Sequence, residues 1–257
     1  MSMNPLLEID DISKTFGGVV AVDRCSMTVR EGMVIGLIGP NGAGKSSVID
    51  LVTGFEHPDS GSVRFDGTEL IGLRPDVISR MGIIRTFQTP REWRDLSVID
   101  NVRIGRSNLA RESLFRSLVF ARGMRRDEAN ETDEIRGILK DYRLDDLRNS
   151  RAINLSGGQK RLLEFARIAA ARPRLTILDE PMGGVNPVLG ERIGEAIRDL
   201  KRAGSTVIVV EHNLPFIEST CDEVVVMDLG SVIAQGAFNE LRDNARVVDA
   251  YLGNDDQ

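Results

Sequence analysis

The sequence has few of the features expected of an extracellular or membrane-spanning protein. Only two of its 257 residues are cysteines, Cys25 and Cys221, and their spacing suits neither a disulfide framework nor a metal site. We therefore expect two buried free thiols. The N-terminus has no basic segment followed by an apolar one, so we expect no signal peptide. No stretch approaches the roughly 18 uninterrupted apolar residues of a membrane span, so we expect any work at a membrane to need a partner.

Positive charge is also scarce. The chain has 33 Lys and Arg residues against 39 Asp and Glu residues, which gives a net charge of −6. Proteins that bind nucleic acids broadly present a basic face to the phosphates, so this balance argues against such binding. With 41% hydrophobic residues, the composition is that of a cytosolic protein with a large core.

Four short, continuous apolar runs predict strands buried on both faces of a parallel sheet: 34–38, 175–178, 206–210 and 223–227. Helical patterns lie between them, and this alternation is typical of an α/β fold. A glycine-rich loop, an acidic pair and a histidine follow the first three runs. Because ligands bind beyond the carboxyl ends of the strands in such sheets, we expect these groups to meet at one edge.

Two other regions have different patterns. The segments 6–16, 22–29 and 61–70 are partly alternating and predict a small antiparallel layer beside the parallel core. Residues 90 to about 155 are rich in charge and predict an inserted helical lobe. Its apolar residues at helical spacing are Leu114, Phe115, Leu118, Val119, Ile135, Ile138, Leu139 and Tyr142.

Residues 39–46, GPNGAGKS, match the phosphate-loop pattern G-x-x-x-x-G-K-[ST] at every fixed position, with a predicted strand before and a predicted helix after. The backbone N–H groups of such a loop surround phosphate oxygens, and the following helix adds its positive N-terminal end. Lys45 would reach the β- and γ-phosphates, and the Ser46 hydroxyl would ligate Mg²⁺. The candidate binding residues are Gly39, Asn41, Gly42, Ala43, Gly44, Lys45, Ser46 and Ser47.

The acidic pair Asp179 and Glu180 ends the second apolar run. A carboxylate at the end of a buried strand is costly unless something holds it, and a nucleotide-bound Mg²⁺ would do so at Asp179. Glu180 could then activate the attacking water in phosphoryl transfer. Alone, the pair could equally cap a strand before Pro181; the upstream phosphate loop favours the catalytic interpretation.

A second glycine motif, LSGGQ at residues 155–159, opens a predicted helix. Ser156 and Gln159 have the spacing of a capping box. Gly157 and Gly158 leave the N–H groups of the first turn uncovered, so this helix N-terminus could also bind an anion. A well-capped helix without this role would explain the serine and the glutamine but not two consecutive glycines, which lower helix stability.

Together these motifs resemble those of the ATP-binding cassette (ABC) ATPases. GPNGAGKS is similar to the Walker A motif, LTILDE to the Walker B motif, and LSGGQ to the family signature. TFQ at 86–88 resembles the Q-loop, and His212 in VEHN resembles the switch histidine. The motifs occur in the family's order, and the resemblance covers nearly the whole chain.

The resemblance implies a role for each motif. Two cassettes would pack head to tail, with ATP between the Walker A loop of one and the signature helix of the other. Gln88 would sense Mg²⁺ and phosphate and contact a membrane subunit, and His212 would contact the γ-phosphate. The implied Mg²⁺ ligands are Ser46, Gln88 and Asp179, and the residues that would serve the partner's nucleotide are Ser156, Gly157, Gly158 and Gln159.

Four further residues are singled out by comparison with the family. Phe16 matches the aromatic residue that stacks on adenine, although core packing is the alternative, and Val22 is a second candidate for the adenine pocket. Asn186 stands where the family's D-loop commonly has an aspartate, which puts communication between the two sites in doubt. Trp93 follows the Q-loop and would either receive a coupling helix of a membrane subunit or anchor a helix.

The resemblance implies an α/β fold: an ABC-type P-loop ATPase with a mostly parallel core sheet, an N-terminal antiparallel β layer and an inserted helical subdomain. Within one ATPase domain, we expect the nucleotide-binding core at 1–89 and 158–235, the helical subdomain at 90–157 and a C-terminal helical tail at 236–257.

FGGVVAVD, EPMGGVNP and AYLG resemble the ATP-binding subunits of branched-chain amino-acid importers. Similar motifs occur in ATPases for urea, amide and lipopolysaccharide transport. The resemblance implies ATP and Mg²⁺ as cofactors and a place at the cytoplasmic face of the membrane. The implied partners are permease subunits, a second ATPase subunit and an external substrate-binding protein, with no nucleic acid. A non-transport ABC ATPase, a kinase and a GTPase are weaker alternatives.

Overall fold

The structure is a computed structural model that describes residues 5–87, 92–107 and 124–252. The chain separates into two compact units, one formed by residues 1–88 and 174–257 and the other by residues 89–173.

The first unit contains a four-stranded antiparallel sheet with the strand order β2-β1-β4-β5. Two of its strands form a hairpin in which Phe16 pairs with Val19 around Gly17 and Gly18. Both glycines have positive φ, as a tight hairpin turn requires. The strands are β1 (Pro5–Phe16), β2 (Val19–Arg30), β4 (Ser60–Phe65) and β5 (Thr68–Glu69). The predicted antiparallel layer is confirmed.

A second, six-stranded sheet has the order β10-β9-β3-β8-β7-β6. All its neighbouring strands are parallel except the pair β9 and β10. Every residue of β3, β7 and β8 is buried, as expected for central strands covered on both faces. The strands are β3 (Val34–Ile38), β6 (Ile83–Arg85), β7 (Leu175–Asp179), β8 (Thr206–Val210), β9 (Glu223–Asp228) and β10 (Ser231–Gly236). All four predicted parallel-type strands are confirmed.

Helices connect these strands. Those of the first unit are α1 (Lys45–Val52), α2 (Pro75–Arg80), α6 (Pro187–Arg202), α7 (Leu214–Thr220), α8 (Phe238–Leu241) and α9 (Ala245–Leu252). The two sheets and α1 share one hydrophobic core that includes Leu7, Val29, Ile35, Ile49 and Val225. The core therefore anchors α1, whose N-terminus follows the glycine-rich loop.

Both cysteines are free thiols, as predicted. Cys25 is buried in β2, and Cys221, at the C-terminus of α7, is partly buried. Burial raises the pKa of each thiol to about 12, and the nearby carboxylate of Asp222 adds to the effect at Cys221.

The second unit is helical. Its helices are α3 (Val98–Ser107), α4 (Met124–Asp141) and α5 (Gly157–Ala171), with short 3-10 turns at Asp145–Leu147 and Ala152–Asn154. The predicted apolar positions Ile135, Leu139 and Tyr142 are buried. Leu114, Phe115, Leu118 and Val119 lie outside the described residues.

The second unit includes all of α5 and ends at Pro173, because α5 packs against α3 and α4. The division of the chain into a helical subdomain at 90–157 and a core that resumes at 158 stays a prediction. Within the described ranges, no helix is both long enough and apolar enough to cross a bilayer.

Candidate functional site

The predicted site groups of the first unit lie at one edge of the six-stranded sheet. The glycine-rich loop follows β3, Glu211 and His212 follow β8, Asp179 and Glu180 end β7, and Thr86 follows β6. These four strands are parallel and adjacent in the order β3-β8-β7-β6. Their carboxyl ends therefore meet, which confirms the expected convergence.

The loop between β3 and α1 can only be built with glycine at two positions. A Cβ on Gly39 would lie 2.2 Å from the carbonyl oxygen of Met227, and one on Gly44 would lie 2.5 Å from that of Ala21. Both glycines also have positive φ, 153° and 95°. The absence of side chains there lets the loop pack tightly and turn its backbone into α1, and this geometry fits a polyphosphate.

Lys45, the first residue of α1, folds back over this loop. Its ammonium donates to the carbonyl oxygens of Gly39 at 2.7 Å and Pro40 at 2.9 Å. Burial lowers the pKa of Lys45, while the charges of Glu180 and Asp179 act in the opposite direction. The three predicted residues Lys45, Asp179 and Glu180 are therefore close enough to interact electrostatically. Ser46, next in the helix, is exposed.

Asp179 is the last residue of β7 and is 6% exposed. Its backbone N–H donates to the Thr86 hydroxyl at 3.1 Å, and its carboxylate accepts from Arg85 Nη2 at 3.1 Å. The other terminal nitrogen of Arg85 binds Asp50 of α1. Ser46 and Asp179 supply the hard oxygen donors that Mg²⁺ prefers, so the residues present fit the predicted metal.

Glu180 begins the loop after β7 in a left-handed conformation with φ of 47°, which is uncommon for a residue other than glycine. Its N–H donates to the Val210 carbonyl at 3.0 Å, and its carbonyl accepts from the Gly183 N–H at 3.0 Å. Pairing with β8 therefore continues one residue beyond β7 and fixes the backbone that carries this carboxylate.

The switch histidine candidate, His212, lies on a three-residue loop between β8 and α7. Its side chain is 73% exposed at the sheet edge. Asn213 closes the loop by capping α7, accepting from the Phe216 N–H at 3.1 Å. Gln88, the Q-loop candidate, lies outside the described residues.

The predicted capping box of the signature motif is present in the second unit. Ser156 Oγ accepts from the Gln159 N–H at 3.3 Å, and Gln159 Oε1 accepts from the Ser156 N–H at 2.8 Å. Ser156 and Gly157 are exposed, and a Cβ on Gly157 would meet nothing within 4 Å. Gly158 is partly exposed. The N-terminal turn of α5 is thus open to solvent.

The two adenine-pocket candidates differ in exposure. Phe16, at the end of β1, is 40% exposed, with the Lys14 ammonium 5.1 Å from its ring centroid. At this exposure Phe16 is not packed in the core, and its stacking on adenine stays a prediction. Val22 is fully buried in the core, so its side chain offers no surface to a base.

Asn186 and Trp93 both have local structural partners. Asn186 caps α6 by accepting from the Leu189 N–H at 2.9 Å, which explains a short polar side chain before Pro187. Trp93 is 38% exposed and lies under the Arg167 guanidinium, 4.2 Å from its ring centroid. The Trp93 backbone is held by the side chain of Asn101.

Comparison with known proteins agrees with this arrangement. Residues 22–183 match the ABC transporter family. A probable branched-chain amino acid transport ATP-binding protein, LivG of Archaeoglobus fulgidus, is 39% identical over 98% of this chain and 96% of its own length. This chain belongs to the ABC transporter family. BraF of Pseudomonas aeruginosa, a high-affinity branched-chain amino acid transport ATP-binding protein, is 35% identical to this ABC ATPase over 97% of the chain and 98% of its own length.

Solved structures show the same fold. An ATP-binding cassette of an ABC transporter in its ADP conformation superposes on this ABC ATPase with a TM-score of 0.81. The two are 34% identical over 97% of this chain and 99% of the other. A nucleotide-free cassette gives a TM-score of 0.80 at 33% identity. The family, the fold class and the assignment as an ATPase subunit of an ABC transporter, all expected from the motifs, are confirmed.

The motif analysis assigned no role to three residues of this edge: Arg85, and Thr86 and Glu211, which lie within the quoted TFQ and VEHN strings. Arg85 and Thr86 stand next to the Q-loop candidate, and each contacts Asp179. Glu211 directly precedes the switch histidine candidate and is 1% exposed. Two features of the sequence could have indicated them: an arginine in the short strand β6 and a glutamate directly after a fully apolar run. Charged side chains at such positions are buried and therefore need partners.

Proposed function

We propose that this ABC ATPase is the ATP-hydrolysing subunit of an importer for branched-chain amino acids. Two relatives with such names match it over nearly the full length of both chains. The observation that carries the chemistry is the convergence of Lys45, Asp179 and Glu180 at one sheet edge.

The glycine-rich loop and Lys45 would bind the phosphates of ATP. The Lys45 ammonium already spans the loop, and it would move from the carbonyl oxygens of Gly39 and Pro40 to the β- and γ-phosphates. Ser46, Gln88 and Asp179 would hold Mg²⁺, which supplies charge neutralisation at the phosphates when it is bound. The exposed ring of Phe16 would stack on the adenine.

Glu180 would act as the general base. It would accept a proton from the water that attacks the γ-phosphate, while ADP leaves in line with the attack. His212 would donate a hydrogen bond to the γ-phosphate and stabilise the charge that develops there.

The open N-terminal turn of α5 would complete the nucleotide site of a second cassette. Ser156, Gly157, Gly158 and Gln159 would contact the γ-phosphate bound to the partner's Walker A loop, through backbone N–H groups and the positive end of the helix. Closure of the two cassettes would drive permease subunits at the cytoplasmic face of the membrane. An external substrate-binding protein would deliver the substrate to these permease subunits. Nucleic acid has no role in this proposal.

Recovery of the native complex tests this proposal. The tagged chain is expressed in its own host, membranes are solubilised gently, and the co-purified proteins are identified by mass spectrometry. We expect permease chains and a second cassette, and we expect the complex in vesicles to take up leucine only with ATP and a substrate-binding protein. Ribosomal or DNA-bound partners without any permease would contradict the transport function. Uptake of urea or an amide but not leucine would contradict the proposal that branched-chain amino acids are the substrate.

A further inference from the structure

Glu211 is a buried carboxylate at the point where the central strands end. It follows β8 directly, and its side chain is 0% exposed. The last register pair of β7 and β8 joins Asp179 to Val210, and the Glu180 N–H still donates to Val210. Beyond this point the segments that follow β7 and β8 no longer pair, so their backbone N–H groups need other acceptors.

The Glu211 carboxylate supplies these acceptors for two loops at once. Oε1 accepts from the Met182 N–H at 2.7 Å, in the loop after β7. Oε2 accepts from the N–H groups of His212 at 3.1 Å and Asn213 at 3.4 Å, in the loop after β8. Past the ends of the two strands, where main-chain pairing stops, the Glu211 side chain therefore accepts the hydrogen bonds of both loops.

The two loops held in this way carry the proposed catalytic groups. Met182 lies two residues after Glu180, and His212 is bound through its own backbone. Glu180 has the left-handed backbone described above, a conformation that persists only where its surroundings enforce it. The hydrogen bond at Met182 fixes the chain just after this turn.

We propose that Glu211 is a positioning residue that sets the distance between the general base Glu180 and the switch histidine His212. This inference rests on the proposed ATPase mechanism. Glu211 is the first residue of the loop after β8, and its buried carboxylate holds both loops through backbone N–H groups, with His212 Nδ1 also 3.8 Å from Oε2. Its loss should therefore slow the chemical step while leaving ATP binding at the glycine-rich loop intact.

Substitution of Glu211 by glutamine keeps the size of the side chain and changes only its hydrogen bonding. It therefore distinguishes a positioning role from a role in filling space. A carboxylate accepts hydrogen bonds at both oxygens, whereas a carboxamide of the same shape accepts at one atom and donates at the other. In E211Q, one of the two loops must therefore face an N–H₂ group with its own N–H donors. Glu218, an exposed carboxylate on α7, gives the matched control E218Q.

The experiment compares full-length wild type, E211Q and E218Q. Nucleotide dissociation constants, steady-state ATP turnover and peptide-level hydrogen exchange are measured on each. For E211Q we expect a dissociation constant within about twofold of wild type and a fall in kcat of at least tenfold. We also expect faster exchange confined to peptides that contain Met182, His212 and Asn213. E218Q should match wild type in all three.

Two results would overturn the proposal. Wild-type kcat in E211Q would show that the contact does not position the catalytic groups. Weaker nucleotide binding together with faster exchange throughout the first unit would show a general structural role instead. A wild-type chain without ATPase activity would refute the proposed function, and exchange at the Met182 and His212 peptides would still decide whether Glu211 holds both loops.

Discussion

Arg85 and Asp179 form a buried ion pair at the edge of the central sheet, with Nη2 and Oδ2 3.1 Å apart. Their side chains are 10% and 8% exposed. Arg85 also binds Asp50, so one guanidinium joins the helix after the glycine-rich loop to the candidate Mg²⁺ ligand. The rings of Phe55 and Phe87 lie 5.9 and 5.5 Å from the guanidinium carbon.

Removal of this guanidinium should destabilise the protein. In R85A, two carboxylates would lose their shared cation, and breaking a buried pair costs about 3–5 kcal/mol. We expect the nucleotide-free melting temperature to fall by roughly 10 °C. R85K should be intermediate, because a single ammonium cannot bind both carboxylates as a fork does. A melting temperature of R85A equal to that of wild type would show that the pair contributes nothing.

The same pair shows what the sequence could not reveal. The capping box of Ser156 and Gln159 was predictable because its partners are three residues apart. The buried strands were predictable from their continuous apolar runs. Arg85 is separated from Asp50 by 35 residues and from Asp179 by 94, and Glu211 from Met182 by 29. Only the sheet order brings these groups together, and no local pattern encodes them.

The extent of the helical unit likewise depends on contacts between segments that are distant in sequence. The sequence predicts that the signature glycines open a helix of the core, and the structure packs that helix, α5, with α3 and α4 of the second unit. Only its position relative to the family's motifs predicts Val22 in the adenine pocket. In β2 it lies between the partly buried Ala21 and the exposed Asp23, and its side chain is directed into the core.

Lys45 should govern nucleotide affinity. K45A removes the ammonium that spans the glycine-rich loop and that would bind the β- and γ-phosphates of ATP. A hydrogen bond to a charged group contributes about 1.5–3 kcal/mol, so we expect the dissociation constant for ATP to rise by roughly 10- to 100-fold in calorimetric titration. K140A, at an exposed lysine of α4, is the control. Equal affinities of K45A and wild type would contradict the role of Lys45.

The signature helix should act on a partner's nucleotide. G158D places a carboxylate at the open N-terminus of α5, where it would repel a γ-phosphate. We expect turnover to be lost while the variant's own affinity for ATP stays within about twofold of wild type. Mixing G158D with E180Q should restore part of the turnover, since one of the two shared sites would then be intact. A loss of affinity comparable to that of K45A would contradict the shared site.

The thiols should resist alkaline ionisation. Burial raises the pKa of Cys25 and Cys221 to about 12, against 9.0 for an ordinary thiol. At pH 8 we expect no fast reaction with Ellman's reagent in the native protein and two reactive thiols in guanidinium. The unfolded chain loses these protons at lower pH than the folded one. The contribution of the two protonated thiols to the free energy of unfolding is therefore complete below about pH 9, and it is lost as the pH rises towards 12. Two fast-reacting thiols in the native state would contradict this.

The most direct test of the mechanism is ATP turnover by E180Q, measured beside its ATP affinity and beside the exposed control E218Q. Only the water-activating carboxylate is lost, so we expect affinity within about twofold of wild type and turnover lower by about 100-fold or more. Turnover of E180Q close to that of wild type, with ATP still bound, would contradict the assignment of Glu180 as the general base.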